Sequence, residues 1–128
     1  MRYILDTNFL IGFLRKKEDY IDKLFEIRET KPIISSITIT EMYAGCRSHE
    51  VEETENLLEK LFIVNVSKFI AKEAGKLKFH YARKGKTIHT EDAIIGATAK
   101  IHHLTLITQN TKDFPMLYPS QIEKFPKN

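Results

Sequence analysis

Short apolar runs alternate with helix-like segments along the whole of this 128-residue chain. The short runs are rich in β-branched residues, and each is followed by a segment with apolar residues at helical spacing. Strands separated by helices indicate an α/β domain with a mostly parallel central sheet of four or five strands, flanked by helices. The predicted strands cover 2–5, 33–36, 62–66 and 104–108, with a short edge strand within 121–125.

Predicted helices fill the intervals between these strands. Helical spacing of apolar residues places them at about 8–15, 20–28, 51–60 and 92–102. Two more helices are predicted from their caps: Thr38 or Thr40 begins one that carries Glu41, and Ser67 begins a long one that ends at Gly85. The buried stripe of the long helix is expected to consist of Phe69, Ile70, Ala74, Leu77 and Tyr81.

The length predicts one domain over residues 1–128, large enough to bury a core without disulfide or metal staples. The single cysteine, Cys46, cannot form an internal disulfide, which favours a reducing cytoplasm, and we expect its thiol to be buried. The apolar segment 9–14 is far too short to cross a bilayer. The N-terminal segment is also a poor signal peptide, because Asp6 and Asn8 interrupt its would-be hydrophobic region and no small-residue cleavage site follows. The expectation is a soluble cytoplasmic domain with no membrane association.

Four carboxylates stand where predicted strands and helices begin or end: Asp6, Glu41, Asp92 and Asp113. Each lies beside apolar residues that look like core, and an acid there is costly unless it is hydrated, paired or bound to a cation. In open parallel sheets, active sites form just outside the carboxyl ends of the strands. Asp6 ends the first strand and Asp113 follows the fourth, while the other two acids lie early on flanking helices. We therefore expect all four to reach one rim of the sheet.

Four acids in one cleft would make a site for a hard divalent metal, because a cation relieves their mutual repulsion. Mg²⁺ and Mn²⁺ prefer such oxygen ligands, and one or two ions are expected. The chain has one cysteine and no CxxC or HExxH spacing, which disfavours soft-metal sites. A hard metal can activate water against a phosphodiester, so no side-chain nucleophile is required. Short polar side chains are expected to hold the carboxylates or bound waters in place: Thr7, Asn8, Thr108 and Asn110.

Three of the acids also have an ordinary structural interpretation. Asp6 could merely cap the first helix, Glu41 could be an exposed helical residue, and Asp92 could satisfy a helix dipole. Glu91 points about 100° away from Asp92 on a helix, so we interpret it as a solvated neighbour. His89, three residues before Asp92, is the only histidine expected near a substrate.

Basic residues are concentrated between positions 68 and 86, where Glu73 is the only acid. The predicted RNA-binding residues are Lys72, Lys76, Arg83 and Lys84. They would form a phosphate track that keeps RNA near carboxylates that otherwise repel it. The alternative is a solvated helix face. No aromatic platform for stacking bases is expected among these residues.

Four motifs in order resemble those of the PIN-domain ribonucleases, in particular the VapC toxins of toxin–antitoxin pairs. They are Ile-Leu-Asp-Thr-Asn at 4–8, the segment 36–45 around Glu41, Asp-Ala-Ile-Ile-Gly-Ala-Thr-Ala at 92–99, and 106–114 around Asp113. Each motif is weak alone, and the four together cover nearly the whole chain. Gly96 stands where the family more often has alanine, a departure expected to change packing and not chemistry.

The resemblance implies a Mg²⁺- or Mn²⁺-dependent endoribonuclease that dimerises and is inhibited by a cognate antitoxin. The antitoxin's C-terminal segment is expected to lie along the cleft, with an Arg or Lys reaching toward the carboxylates. The alternatives are a housekeeping PIN nuclease and a module that binds RNA or a partner without cleaving. A phosphoacceptor receiver domain also has acids at strand ends, although Asp113 stands where its lysine might be sought.

Overall fold

The computed structural model describes residues 2–127 and is built around a five-stranded sheet in which every strand pair is parallel. The strands are β1 (Tyr3–Leu5), β2 (Ile33–Ser35), β3 (Phe62–Val64), β4 (Thr105–Thr108) and β5 (Ile122–Lys124). Their spatial order is β3-β2-β1-β4-β5. The predicted α/β fold with a parallel sheet is confirmed, including the short edge strand near the end of the chain.

Six α-helices within residues 2–127 connect and cover the strands. They are α1 (Thr7–Leu14), α2 (Glu18–Ile27), α3 (Ser36–Gly45), α4 (Val51–Glu59), α5 (Lys68–Ala82) and α6 (Thr90–His102). No helix in this part of the chain has the length and apolar character needed to span a bilayer.

The sheet separates two hydrophobic cores. On one face, Ile4 and Leu106 pack with the inner sides of α5 and α6. On the other face, Leu5 and Ile107 pack with α1, α2 and α4. Successive residues of a strand point to opposite faces, so these alternating sets follow directly from the period of two.

The same alternation decides which residues reach the rim at the carboxyl ends of the strands. Asp6 and Thr108 come two residues after Ile4 and Leu106, so their side chains point to the α5–α6 face. Lys124 is the register partner of Thr108 and shares that face. The side chains at the carboxyl ends of these strands are therefore polar, whereas the strand residues that precede them on the same face are apolar.

The structure differs from the sequence-based expectations at three positions. Ser35, not Thr38 or Thr40, caps α3, with its hydroxyl accepting a hydrogen bond from the Ile37 amide at 3.2 Å. Phe69 was expected in the buried stripe of α5 but is 57% exposed, and it lines a surface cleft with Ala97 and Ile101 of α6. Cys46 was expected to be buried but is only half-buried, since it follows the end of α3.

Two close contacts explain glycines in helices. A Cβ at Gly12 would lie 2.6 Å from the ring of Tyr20, which is itself packed against Phe9. A Cβ at Gly96 would lie 2.6 Å from the Met116 sulfur. The departure at Gly96 therefore has a packing explanation in this chain.

Candidate active site

Asp6 is a buried carboxylate held from two sides at the end of β1. Its Oδ1 accepts a hydrogen bond from the Phe9 amide at 3.0 Å and so caps α1. Its Oδ2 accepts one from the Thr108 hydroxyl at 2.5 Å, across the β1–β4 pair. Only 7% of the residue is exposed. Asp6 therefore both caps α1 and lies at the predicted site.

The surroundings of Asp6 oppose its ionisation. Burial raises its pKa above the ordinary value, and the charge of Asp113 raises it further. Hydrogen bonds from Thr108 and from the Phe9 and Asn8 amides lower the pKa, but the net shift is upward. A nearby cation would relieve this penalty.

Asp92 lies in the first turn of α6 and is half-buried. Burial, followed by the charge of Asp113, raises its pKa to about 6. The charges of Glu91 and Glu41 also raise this pKa, whereas His89 lowers it. Asp92 therefore lies within the electrostatic field of two other predicted site acids. Glu91, interpreted from the sequence as a solvated neighbour, is partly buried.

Glu41 projects from α3 toward the start of α1. Its Oε1 accepts a hydrogen bond from the Thr7 hydroxyl at 2.5 Å, and the two residues are 34 positions apart in the chain. This contact fixes α3 against the turn that follows β1. Glu41 is half-buried, so its charge retains partial contact with solvent.

Asp113 belongs to the short 3-10 turn Thr111–Asp113 that follows β4 and is exposed. Its charge raises the pKa of both Asp6 and Asp92. The charge of Asp113 therefore acts on both Asp6, at the end of β1, and Asp92, on α6. We name the four residues Asp6, Glu41, Asp92 and Asp113 the acidic rim.

The polar residues predicted to support the rim divide into two groups. Thr7 and Thr108 donate hydrogen bonds directly to carboxylates. Asn110 acts through its backbone, whose amide donates to the Thr108 hydroxyl at 3.0 Å. The side chains of Asn8 and Asn110 are exposed and contact no carboxylate in the described part of the chain.

The donor set of the rim fits a hard divalent cation, because it offers carboxylate oxygens whose charges already repel one another. As the side chains of residues 2–127 stand, no group of three or more His, Cys, Asp and Glu is arranged to hold a metal ion. Direct ligation by several of the acids therefore requires side-chain rotation. Asp113 is exposed and Asp92 half-buried, so both have room to rotate inward.

The predicted RNA-binding residues lie on α5 and just after it. Lys72 and Lys76 are exposed, and Lys76 is 3.5 Å from Glu73. The Arg83 guanidinium lies 4.2 Å from the ring centre of Phe79, and Lys84 lies over Tyr81. Phe79 is 61% exposed, and the expectation that these residues form no aromatic platform for stacking bases stays a prediction. RNA binding by these residues stays a prediction.

An apolar groove of about 650 Å³ between α2 and α4 was not predicted. Its apolar lining includes Phe25 and Phe62, which are 58% and 52% exposed. The remaining side chains of the groove are Phe13, Lys16, Leu24, Arg28, Lys31, Pro32, Glu53, Asn56, Leu57, Lys60 and Leu61. The helical spacing of Phe25 and the β-propensity of Phe62 indicated only core positions. Exposed aromatic residues on one surface mark a binding region.

The PIN domain family matches residues 3–117 of the chain, an interval that contains all four acids of the rim. The chain belongs to the PIN-domain family. A relative named ribonuclease VapC10 from Mycobacterium tuberculosis is 32% identical over 114 residues, covering 88% of this chain and 86% of that protein. The resemblance predicted from the four motifs is confirmed, and the receiver-domain alternative is wrong.

Solved structures of similar proteins share this PIN fold over nearly its full length. A toxin–antitoxin complex from Klebsiella pneumoniae contains a chain 32% identical, with a TM-score of 0.77 and coverage of 95% and 96%. The structure of VapBC2 from Rickettsia felis, bound to a DNA fragment from its promoter, gives a TM-score of 0.80 at 26% identity, with coverage of 98% and 99%.

Proposed function

We propose that this PIN domain is a Mg²⁺- or Mn²⁺-dependent endoribonuclease and the toxin component of a toxin–antitoxin pair. The acidic rim carries the proposal. Thr108 and Thr7 hold Asp6 and Glu41 in place, and Asp113 acts electrostatically on both Asp6 and Asp92. Relatives named as VapC ribonucleases support RNA as the substrate.

The chain's own residues prepare the site for a cation and a phosphodiester. Thr108 and the Phe9 amide fix both oxygens of Asp6, so this carboxylate has a defined orientation before any ligand binds. Asp92 and Asp113 are proposed as the other principal ligands, with Glu41 completing the set. A divalent cation bound there would activate water and neutralise charge that develops on the phosphodiester. We expect one or two ions at this site.

The alternatives are a housekeeping nuclease and a module that binds without cleaving. Retaining four acids under mutual repulsion disfavours the binding module, because carboxylates repel RNA unless a cation is present. The similar toxin–antitoxin complex favours a toxin over a housekeeping enzyme.

An antitoxin is the proposed occupant of the apolar groove. Four cationic side chains surround the groove, Lys16, Arg28, Lys31 and Lys60, against the single acid Glu53. Arg28 lies over the ring of Phe25 and Lys31 over that of Phe62. An amphipathic segment with apolar and acidic side chains would complement this surface. The cationic antitoxin side chain expected at the acidic rim, the homodimer and the cytoplasmic location stay predictions.

Cleavage of RNA by the purified chain tests the proposed activity. We expect internal cleavage with Mg²⁺ or Mn²⁺ that stops in EDTA and returns when excess metal is added. The Asp22→Asn variant, which alters an exposed acid of α2, should cleave like the wild type and so controls for general effects of charge. Binding of RNA without EDTA-sensitive cleavage of total cellular RNA would favour the binding module.

A further inference from the structure

A second polar cleft adjoins the acidic rim on the side of β5. It has a volume of about 500 Å³ and is lined by Gln109, Asn110, Thr111, Lys112, Asp113 and Lys124. Asp113 belongs to both the cleft and the acidic rim. The other lining residues are either uncharged and polar or cationic, whereas the neighbouring rim consists of acids.

Strand register aims Lys124 toward the same side as the acids. Lys124 pairs with Thr108 across the parallel β4–β5 ladder, and register partners project to the same face of a sheet. Thr108 on that face donates its hydroxyl to Asp6. The neighbouring Glu123 projects to the opposite face, where it contacts Lys23 of α2. The stem of Lys124 therefore starts one strand away from the residue that holds Asp6.

Both lysines of the cleft are available to an anion from outside the chain. Lys112 and Lys124 are exposed, and neither forms an ion pair with any residue from 2 to 127. Lys23 and Lys76, by contrast, are already within ion-pair distance of glutamates. Two unpaired cations at a cleft beside a site for phosphodiester cleavage match the charge of a nucleic-acid backbone.

We propose that Lys112 and Lys124, with the amide side chains of Gln109 and Asn110, bind a backbone phosphate of the RNA next to the phosphate that is cleaved. This inference rests on the proposed ribonuclease function. The RNA on one side of the cleaved bond would therefore lie along the β5 side of the acidic rim. Contacts to a phosphate that does not react are equally strong before and during cleavage, so they act on KM and leave kcat unchanged.

The test uses the full chain with Lys112→Ala and Lys124→Ala combined. Cleavage of a fluorescent single-stranded RNA should show KM raised about tenfold, with kcat within twofold of the wild type. In the Asp6→Asn background, which permits binding measurements without cleavage, the slope of log affinity against log salt should become shallower by about 0.7 per lost contact. Replacing both lysines by Arg should retain most of the affinity.

The matched control carries Arg2→Ala and Lys17→Ala. Both residues are exposed and neither lines the cleft. Arg2 precedes β1 and so lies at the amino ends of the strands, and Lys17 follows α1 and lies over the ring of Tyr20. This control should have the wild-type KM and salt slope. The metal concentration for half-maximal cleavage should not rise in the Lys112/Lys124 variant, because removing cations beside carboxylates cannot weaken their metal binding.

The outcomes separate this inference from the proposed function. EDTA-sensitive cleavage with an unchanged KM and salt slope in the Lys112/Lys124 variant would overturn the phosphate site and leave the ribonuclease standing. A lowered kcat at unchanged KM would overturn it too, because the lysines would then act on the acids. Absence of cleavage by the wild type would overturn the proposed function, and the phosphate site with it.

Discussion

The acidic rim and the apolar groove are both costly surfaces, but the cost has a different origin in each. The rim holds carboxylates that burial and mutual repulsion make harder to ionise. The groove leaves aromatic side chains such as Phe25 and Phe62 in contact with water. A cation relieves the first cost and an apolar partner the second. The two regions therefore suit two separate ligands: a cation that takes part in cleavage at the rim, and an inhibitory partner protein in the groove.

The two regions also differ in how firmly they are built. The carboxylates of Asp6 and Glu41 are fixed by hydroxyl donors from distant segments. In the groove, the cationic groups of Arg28 and Lys31 lie over the exposed rings of Phe25 and Phe62. Asp6 and Glu41 are therefore oriented before a cation binds, although Asp92 and Asp113 must still rotate inward. The phenylalanine rings of the groove, by contrast, are held by no hydrogen bond.

The largest expected effect separates the rim from the rest of the molecule. Asp6→Asn should reduce RNA cleavage by roughly 1,000-fold or more, because the cation supplies several kcal/mol of charge stabilisation and each ~1.4 kcal/mol is a factor of ten. The fold should persist, since a neutral side chain removes repulsion from Asp113. Cleavage assays and thermal melting measure the two parts. Cleavage at the wild-type rate would show that the acidic rim is not the site.

Substitutions in the groove should have the converse effect. Phe25→Ala and Phe62→Ala should each weaken binding of the cognate antitoxin by about 2 kcal/mol, or roughly 30-fold, because large aromatic anchors dominate such interfaces. Cleavage by the free enzyme should be unchanged. Calorimetry with the purified antitoxin measures the loss. Phe69→Ala, which alters an exposed ring on α5, is the control.

An antitoxin that binds both groove variants with wild-type affinity would remove the groove from the interface. Loss of binding in the Phe69 variant as well would indicate a different surface. Either result would contradict the proposal that the acidic rim cleaves RNA while the groove binds the antitoxin.

A smaller effect is expected from the hydroxyl that orients Asp6. Thr108→Val preserves the side-chain shape but removes the donor, and partners of this kind contribute about 10- to 100-fold to metal affinity or activity. We expect about a tenfold loss of cleavage, partly restored by higher Mn²⁺. Thr54→Val is the matched control, since Thr54 is buried and its hydroxyl has no partner among residues 2–127. Equal effects of both substitutions would indicate a packing defect only.

Sequence patterns located the acids better than the groove, for physical reasons. Asp6 comes directly after β1 and Asp113 lies in the turn after β4, so local pattern and the parallel topology together predicted a common rim. The hydrogen bond from Thr108 to Asp6 joins residues 102 positions apart, and its geometry depends on the order of strands in the sheet. That order is not encoded in any local pattern.

The groove was missed because apolar residues were interpreted as core. Phe62 has the β-propensity of a buried strand residue, but β3 lies at the edge of the sheet. Phe25 fits the helical spacing of α2 and still points outward. The spacing of apolar residues predicts the type of secondary structure and its apolar face. It does not show whether another helix or strand covers that face.

The smallest expected effect concerns stability without metal. The raised pKa of Asp92 means that its protonated form is favoured by folding, so its contribution is present below pH 3.8 and lost as the pH rises through about 6. Asp92→Asn should therefore melt higher than the wild type in EDTA, by a margin that grows between pH 5 and 7.5. After discounting for solvent screening at this half-exposed group, we expect about 1 kcal/mol. A margin that is independent of pH would contradict the assignment.

The location of Mn²⁺ in crystals of the wild-type chain tests the central claim most directly. Anomalous scattering should show one ion, or two roughly 3.5–4 Å apart, with carboxylate oxygens of Asp6 and Asp92 at roughly 2.1 Å or joined through water. The same measurement on Asp6→Asn should show a weakened or absent peak. Mn²⁺ bound elsewhere in the wild-type protein, with none at the acidic rim, would contradict the account.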